Sequence, residues 1–194
     1  MKLFLATGNA HKIQEIQEIL KPYPLFVRTR RDFPNLPEVP ETGTTFTENA
    51  VLKAIQTAKW VGLPSLSDDS GLVVDALQGA PGVHSARYAG VHATDKERCE
   101  KLLSEMEGQE NRTAYFECVI ALATPEEKVW TWSGRCDGLI TTSLIGANGF
   151  GYDSIFWLPE CQKTFAQLTA TEKNQISHRA RALMAFQTNF PQEF

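Results

Sequence analysis

The 194-residue chain lacks an excess of basic residues, because 19 lysines and arginines face 23 aspartates and glutamates and the formal net charge is −4. Proteins that coat nucleic acid neutralise many phosphates and usually carry a clear basic excess. The sequence therefore argues against a nucleic-acid partner. A single small anion stays compatible with the composition, since a local pocket can oppose the overall sign of the charge.

Long hydrophobic runs and low-complexity repeats are also missing. No stretch approaches the roughly 18 apolar residues of a membrane span, and the apolar N-terminal run ends at Thr7-Gly8-Asn9, too early for a signal-peptide core. With 42% hydrophobic and 22% charged residues, the composition is that of an ordinary globular domain. We expect one domain over residues 1–194 and no membrane partner.

Cysteine is scarce, and its spacing is uninformative for metal binding. The sequence has no CxxC pair and no zinc-finger spacing around its four cysteines, Cys99, Cys118, Cys136 and Cys161. This usage is typical of reduced structural thiols, which predicts a cytoplasmic protein.

Helical periodicity recurs along the chain behind polar capping residues. Four helices are predicted from apolar residues at helical spacing, and they start after Asn9, Thr45 and Thr94 and near Ile176. Strands are predicted for residues 2–6, for 114–122 with a return at 129–132, and on either side of a turn at Asp68-Asp69. The pattern predicts a mixed-sheet α/β domain with helices on its faces.

The first candidate site lies where the first strand gives way to the first helix. Such a junction offers free backbone N–H groups and the positive end of a helix dipole, so it can bind phosphate. A plain capped turn explains the same pattern, because the segment matches neither the Walker nor the GxGxxG motif. The candidate residues are Thr7, Gly8, Asn9, Ala10, His11 and Lys12.

The second candidate site is the pair Asp68-Asp69. Adjacent carboxylates repel each other, so a cation makes the arrangement easier to maintain, and hard oxygen ligands favour Mg²⁺. A solvated Asx turn is the alternative. Glu38 and Glu41, in the proline-rich loop at residues 29–43, are candidates to complete a metal site.

The third candidate site combines an aromatic residue flanked by glycines with polar side chains further along the chain. Such a ring can stack on a base, and Asp, His and Arg can read ring edges through directional hydrogen bonds. A core aromatic residue and a solvated helix face are the alternatives. The residues are Phe150, Gly151, Tyr152, Asp153, Lys173, His178 and Arg179.

Six ordered motifs together resemble the inosine/xanthosine triphosphate pyrophosphatase family over residues 3–185. They are Thr7-Gly8-Asn9-x-x-Lys12, Phe46-x-x-Asn49-Ala50-x-x-Lys53-Ala54, Ser67-Asp68-Asp69-Ser70-Gly71-Leu72, Gly79-Ala80-Pro81-Gly82 with Ser85-Ala86-Arg87-Tyr88, Gly149-Phe150-Gly151-Tyr152-Asp153 and Ser177-His178-Arg179.

The resemblance implies hydrolysis of the non-standard purine nucleotides ITP, dITP and XTP to the monophosphate and pyrophosphate, with Mg²⁺, which cleanses the nucleotide pool. It also implies an elongated α/β fold, with two lobes flanking a nucleotide cleft, and a homodimer. A nucleotide-sensing module without catalysis and a related pyrophosphatase with another base preference are the alternative functions.

The resemblance also implies roles for individual residues. Asp69 is expected to be the catalytic carboxylate and a metal ligand, with Glu41 as second ligand and Glu38 as its alternative, because Pro40-Glu41 stands where relatives often carry two acidic residues. Ser154 replaces a proline that many relatives carry. The triphosphate is expected at Thr7, Gly8, Asn9, Lys12 and Lys53, substrate contact at Ser70, and the base at residues 150–153, Lys173, His178 and Arg179.

Overall fold

A computed structural model describes residues 2–22 and 25–190. These ranges contain twelve helices and strands besides short 3-10 turns and loops. Strands and helices alternate in the first half of the chain. They are β1 (Lys2–Leu5), α1 (Ala10–Leu20), β2 (Phe26–Arg28), α2 (Phe46–Val61), β3 (Ser65–Val74), α3 (Asp95–Glu105), β4 (Thr113–Ala123), β5 (Val129–Ile140), β6 (Phe156–Leu158), β7 (Lys163–Thr164), α4 (Ala170–Ile176) and α5 (His178–Thr188).

The strands form one seven-stranded sheet in the order β2-β1-β3-β4-β5-β6-β7. β1 pairs in parallel with β2 and β3, whereas β6 pairs antiparallel with β5 and β7. The sheet is therefore mixed, which confirms the predicted fold class. In the described ranges, no helix has both the length and the apolar character that crossing a membrane requires.

The chain divides into two compact units, each assembled from separate stretches of sequence. The first unit takes in 1–69, 118–134 and 179–194, and the second takes in 70–117 and 135–178. Each has its own buried apolar cluster. In the first unit Leu3, Leu5 and Ile16 pack with Leu183 and Phe186, and in the second Leu102 and Met106 of α3 pack with Phe116, Phe156 and Phe165. A single domain over residues 1–194 stays a prediction.

Local capping signals give the helix starts that the sequence predicts. The Oγ1 atoms of Thr45 and Thr94 accept hydrogen bonds from the backbone N–H groups of Glu48 and Glu97, and the carboxylate of each glutamate accepts a bond from the backbone N–H of the cap residue. The closing helix differs from the prediction of one continuous helix. Ser177 adopts an extended conformation (φ −66°, ψ 158°) and separates α4 from α5.

The predicted turn at Asp68-Asp69 is wrong, because both residues lie inside β3, which runs without interruption from Ser65 to Val74. Both side chains are buried, Asp68 completely. Buried carboxylates inside a strand require nearby cations, since an unpaired buried charge is very costly. Those cations come from α1, α2 and α5, as described below.

All four cysteines are free thiols, as the sequence predicts. Cys99, Cys118 and Cys136 are buried, and Cys161 is exposed. Burial raises the pKa of the Cys118 thiol to about 12 and that of Cys99 to about 11, so both are protonated at neutral pH.

Candidate active site

The segment between β1 and α1 is held by its own short-range hydrogen bonds. The Oδ1 atom of Asn9 accepts bonds from the backbone N–H groups of His11 (3.0 Å) and Lys12 (3.3 Å), and Thr7 Oγ1 accepts one from Asn9 N. Asn9 is thus the predicted N-cap of α1. Gly8, Asn9, Ala10 and His11 are exposed, which leaves this stretch of backbone accessible to a ligand.

Asp68 anchors a buried ion-pair network in the first unit. Lys12 Nζ lies 2.8 Å from Asp68 Oδ2, and the guanidinium of Arg179 donates to the same oxygen through Nη2 (3.2 Å) and Nε (3.4 Å). Arg179 Nη1 also pairs with Glu15. Arg179 is only 1% exposed. Its charge is neutralised by Glu15 and Asp68, two carboxylates of its own unit.

Lys53 joins the second aspartate to the loop that precedes α2. Its Nζ lies 2.6 Å from Glu41 Oε1, 2.8 Å from the backbone carbonyl of Asp68 and 3.5 Å from Asp69 Oδ1. The loop is fixed close by, because Gly43 N donates to Oδ1 of the buried Asn49 (2.8 Å). Asp69 and Glu41 therefore share one cation, whereas Glu38 is exposed.

The two adjacent aspartates have pKa shifts of opposite sign. Burial by itself would raise both, but Lys12 and Arg179 outweigh it at Asp68 and hold the pKa of that carboxyl below its usual range. At Asp69 the effect of burial is the largest, and the negative charges of Glu41 and Asp68 add to it. Together they exceed the opposite effect of Lys53 and Lys12, so the pKa of Asp69 is raised. Neighbouring carboxylates whose environments separate their pKa values are a common basis for distinct roles.

The charge of Lys53 is maintained despite its burial. Desolvation favours the neutral amine, but Asp69, Asp68 and Glu41 together outweigh that effect and raise the pKa of Lys53. Lys53 is thus a permanent cation beside Asp69. Four carboxylates (Glu15, Glu41, Asp68 and Asp69) meet three cations (Lys12, Lys53 and Arg179), so these seven groups carry a net charge of −1.

The residues around Asp69 fit a divalent cation. Asp69 Oδ2 is buried and accepts no hydrogen bond from the described part of the chain, so this oxygen is available as a ligand. Within the described residues, no three His, Cys, Asp or Glu side chains form a complete metal-binding group. Hard divalent cations prefer oxygen ligands, and a site for such a cation can use only one or two carboxylates.

The second unit contains a separate cluster around Phe150. Lys173 Nζ lies 2.6 Å from Asp153 Oδ2 and 4.4 Å from the centre of the Phe150 ring. The same Asp153 oxygen accepts a bond from Phe150 N (2.9 Å). Gly149 has φ +76°, and a Cβ atom there would overlap the Asp153 carboxylate, so only glycine allows this close approach.

Three other predicted residues of the second unit have distinct surroundings. The His178 ring stacks on Phe116, with ring centres 4.7 Å apart and an angle of 11°. Tyr152 is buried, and its hydroxyl donates to the carbonyl of Ser85 (2.8 Å), so this side chain is part of the core. Ser70 follows Asp69 in β3 and is half-buried.

Two residues that the sequence analysis did not single out contact predicted site residues. Glu15 pairs with Arg179, and its only sequence signal is its position three residues after Lys12 on α1, where helical spacing puts both on one face. Asp95 accepts a bond from Gly151 N (2.6 Å). Its position in the first turn of α3 is also explained by the helix dipole, so the sequence alone gives no reason to choose it.

Comparison with known proteins found similar sequences and structures over nearly the whole chain. A model of the Ham1 family matches residues 3–189. A protein of Desulfotalea psychrophila named dITP/XTP pyrophosphatase is 51% identical over 190 residues, which cover 98% of this chain and 85% of that protein. One of the same name from Listeria monocytogenes is 50% identical over 94% of this chain and 91% of its own length. The solved structure of a HAM1 protein from Coxiella burnetii superposes with a TM-score of 0.91 at 44% identity, covering 97% of both chains.

Proposed function

The chain belongs to the Ham1 family, and from that premise we propose that it hydrolyses the non-standard purine nucleoside triphosphates ITP, dITP and XTP to the monophosphate and pyrophosphate. The observation that carries the proposal is the buried Asp69 carboxylate with an available oxygen, beside the cation Lys53 and the second carboxylate Glu41. In this role the enzyme cleanses the nucleotide pool.

Mg²⁺ is the cofactor that this chemistry calls for, and Asp69 and Glu41 are its proposed protein ligands. The seven charged groups around Asp68 and Asp69 sum to −1, so they would repel a triphosphate unless a cation accompanied it. When bound, Mg²⁺ acts as a Lewis acid that offsets charge on the phosphate oxygens. The pairing of Glu41 with Lys53 favours Glu41 over the exposed Glu38.

The first unit supplies the groups that bind the triphosphate. Gly8 and Asn9, next to the half-buried Thr7, bring exposed backbone to the start of α1, where the helix dipole favours negative charge. Ala10 and His11, the first residues of α1, are exposed as well. Lys12 and Lys53 add two positive charges. Both lysines are held by carboxylates, so they are fixed in place before the substrate arrives, which reduces the entropy cost of binding.

Asp69 is the proposed catalytic residue. Its carboxylate orients a water molecule and accepts its proton as the water oxygen forms a bond to the α-phosphorus. The bond from that phosphorus to the bridging oxygen breaks, and pyrophosphate leaves. Burial raises the pKa of Asp69, which strengthens it as a base once it is ionised. Ser70, the next residue in β3, contacts the substrate.

The residues proposed to bind the base are those that the sequence motifs indicate: Phe150, Gly151, Tyr152, Asp153, Lys173, His178 and Arg179. Phe150 stacks on the purine, and the fixed pair of Asp153 and Lys173 reads its edge, with Gly151 and Tyr152 shaping the turn. Hypoxanthine and xanthine carry an acceptor at the purine 6-position, whereas adenine carries a donor. His178 and Arg179 are the proposed donors to that acceptor, and adenine presents a donor to them instead.

The proposed function also includes an oligomeric state and a cellular compartment. We expect a homodimer in the cytoplasm, where free nucleotides are available to a pool-cleansing enzyme. The absence of a basic excess, at a net charge of −4, is compatible with a single free nucleotide as substrate.

The function is tested by incubating purified protein with ITP, dITP, XTP, GTP, ATP and a modified pyrimidine triphosphate, each with and without Mg²⁺, and by analysing all products. We expect monophosphate and pyrophosphate from the first three nucleotides in the presence of Mg²⁺. Binding of ITP without any product would identify a nucleotide sensor instead. Cleavage that prefers a modified pyrimidine triphosphate would identify a pyrophosphatase of another specificity.

A further inference from the structure

Helix α3 binds both backbone polar groups of Gly151. The Oδ2 atom of Asp95 accepts a hydrogen bond from Gly151 N (2.6 Å), and the Sγ atom of Cys99 donates one to Gly151 O (3.3 Å). Gly151 has φ +62° and lies in the turn that carries Phe150. Two side chains of one helix thus fix one peptide position in a loop more than 50 residues away in the sequence.

The geometry of α3 explains why these two side chains act together. Asp95 and Cys99 are four residues apart, so they lie on the same face of the helix. Arg98 pairs with the other oxygen of Asp95 and donates to the carbonyls of Ala86 (2.9 Å) and Ala93 (2.7 Å). The Asp95 carboxylate is therefore held in one orientation although its side chain is 45% exposed.

A short series of contacts connects the turn at Gly151 to the Phe150 ring. Phe150 N donates to Asp153, Asp153 pairs with Lys173, and the Lys173 ammonium lies over the Phe150 ring. Fixing Gly151 on one side and Asp153 on the other leaves the peptide of Phe150 little freedom. A stacking ring held in its bound orientation loses less entropy when the base arrives.

We propose that Asp95 and Cys99 are positioning residues for base recognition, which hold the turn at Gly151 so that Phe150 is oriented to stack on the purine. This proposal rests on the proposed function of Phe150 and deepens it. Ser154 belongs to the same arrangement, because its Oγ lies 3.7 Å from Cys99 Sγ.

The kinetic test compares two variants of Asp95 with a control on the same helix. Asp95→Ala removes the acceptor and should raise KM for ITP about tenfold with kcat within about twofold, as expected when a charge-assisted hydrogen bond is lost from ground-state positioning. Asp95→Asn keeps an acceptor and should restore most of the affinity. Glu97→Ala removes the capping bond of α3 without touching Gly151, and should leave KM unchanged.

Cys99 is tested in the same assay by a second pair of variants. Cys99→Ser retains a donor for the carbonyl of Gly151, whereas Cys99→Ala does not. Because a thiol is a weak donor, Cys99→Ala should raise KM for ITP only about twofold to threefold. Cys99→Ser should stay within error of the unaltered protein, and an equal rise in both variants would remove Cys99 from the positioning role.

Amide exchange of Gly151 tests the contact independently of turnover. In the metal-free protein without substrate, Asp95→Ala should accelerate exchange at Gly151 about tenfold or more, whereas Glu97→Ala should not. Unchanged exchange in Asp95→Ala, or equal KM rises in Asp95→Ala and Glu97→Ala, would overturn the proposal. If the unaltered protein does not cleave ITP at all, the proposed function fails, and the exchange rates still decide whether Asp95 holds Gly151.

Discussion

Lys12 Nζ lies 2.8 Å from Oδ2 of Asp68, a carboxylate with no exposed surface, at the start of the helix proposed to receive the triphosphate. Asp68 thereby fixes Lys12 in position, and Arg179 completes its neutralisation. The neighbouring Asp69 faces a weaker positive field and retains a buried oxygen that accepts no hydrogen bond from the described residues. We propose that, of these two adjacent residues, Asp68 has a structural role and Asp69 a chemical one.

Asp68→Asn should destabilise the protein strongly. The substitution leaves Lys12 and Arg179 without their shared carboxylate, and breaking a buried ion pair on one side costs about 3 kcal/mol or more in the free energy of unfolding. Because the pKa of Asp68 is lowered in the folded state, its contribution is present at neutral pH and is lost as pH falls below the ordinary aspartate range. Urea unfolding of both proteins at several pH values should therefore show a difference that shrinks in acid.

Asp69→Asn should not destabilise the metal-free protein, in contrast to Asp68→Asn. The pKa of Asp69 is raised, so keeping it ionised at neutral pH costs stability in the metal-free protein, and the amide removes that cost. We expect an equal or higher Tm at pH 7 in EDTA together with loss of ITP turnover. A Tm that falls as far as in Asp68→Asn would show that Asp69 is structural, and full activity would remove it from catalysis.

Of the charges that lower the pKa of Asp69 in the metal-free protein, Lys53 has the largest effect. Its positive charge lowers the pKa of that carboxyl against the effect of burial, so Lys53→Met should raise the Asp69 pKa further. Lys53→Arg keeps the charge and is the matched control. Titration of the Asp69 carboxyl carbon by NMR measures the shift. An Asp69 pKa that is equal in both variants would mean that the contact at 3.5 Å carries little electrostatic weight.

Gly149→Ala should impair base binding. The new Cβ would overlap the Asp153 carboxylate that binds Phe150 N and Lys173, so KM for ITP should rise by about tenfold or more while the fold persists. Gly108→Ala is the control, since Gly108 has a similar φ of +74° and a Cβ there meets open space. If KM for ITP rises equally in the two variants, backbone strain alone, and not the Asp153 contact, explains the rise.

The sequence predicts the features of this fold that depend on neighbouring residues. The capping boxes at Thr45 and Thr94 and the Asn9 cap need only residues three or fewer positions away, and all three are found. Alternation of strand and helix patterns likewise predicts the mixed sheet. Ser177 interrupts the last helical pattern although the apolar spacing runs through it, so periodicity alone misses the break.

The error at Asp68-Asp69 has a different physical cause. Two adjacent carboxylates indicate a solvated turn unless cations compensate them, and the compensating Lys12, Lys53 and Arg179 are distant in sequence. Only the fold shows that they converge on this strand. The pairing of Glu15 with Arg179 cannot be predicted from the sequence for the same reason, because Glu15 is an ordinary helix residue until α5 is packed beside it.

We propose that this chain directs water onto the α-phosphorus of a purine triphosphate, with Asp69 as the base. A single turnover of ITP with Mg²⁺ in water enriched in ¹⁸O, followed by mass analysis of both products, tests it most directly. We predict one ¹⁸O atom in IMP and none in pyrophosphate, with Asp69→Asn giving neither product. Label in pyrophosphate, or release of inorganic phosphate with IDP, would contradict attack at the α-phosphorus.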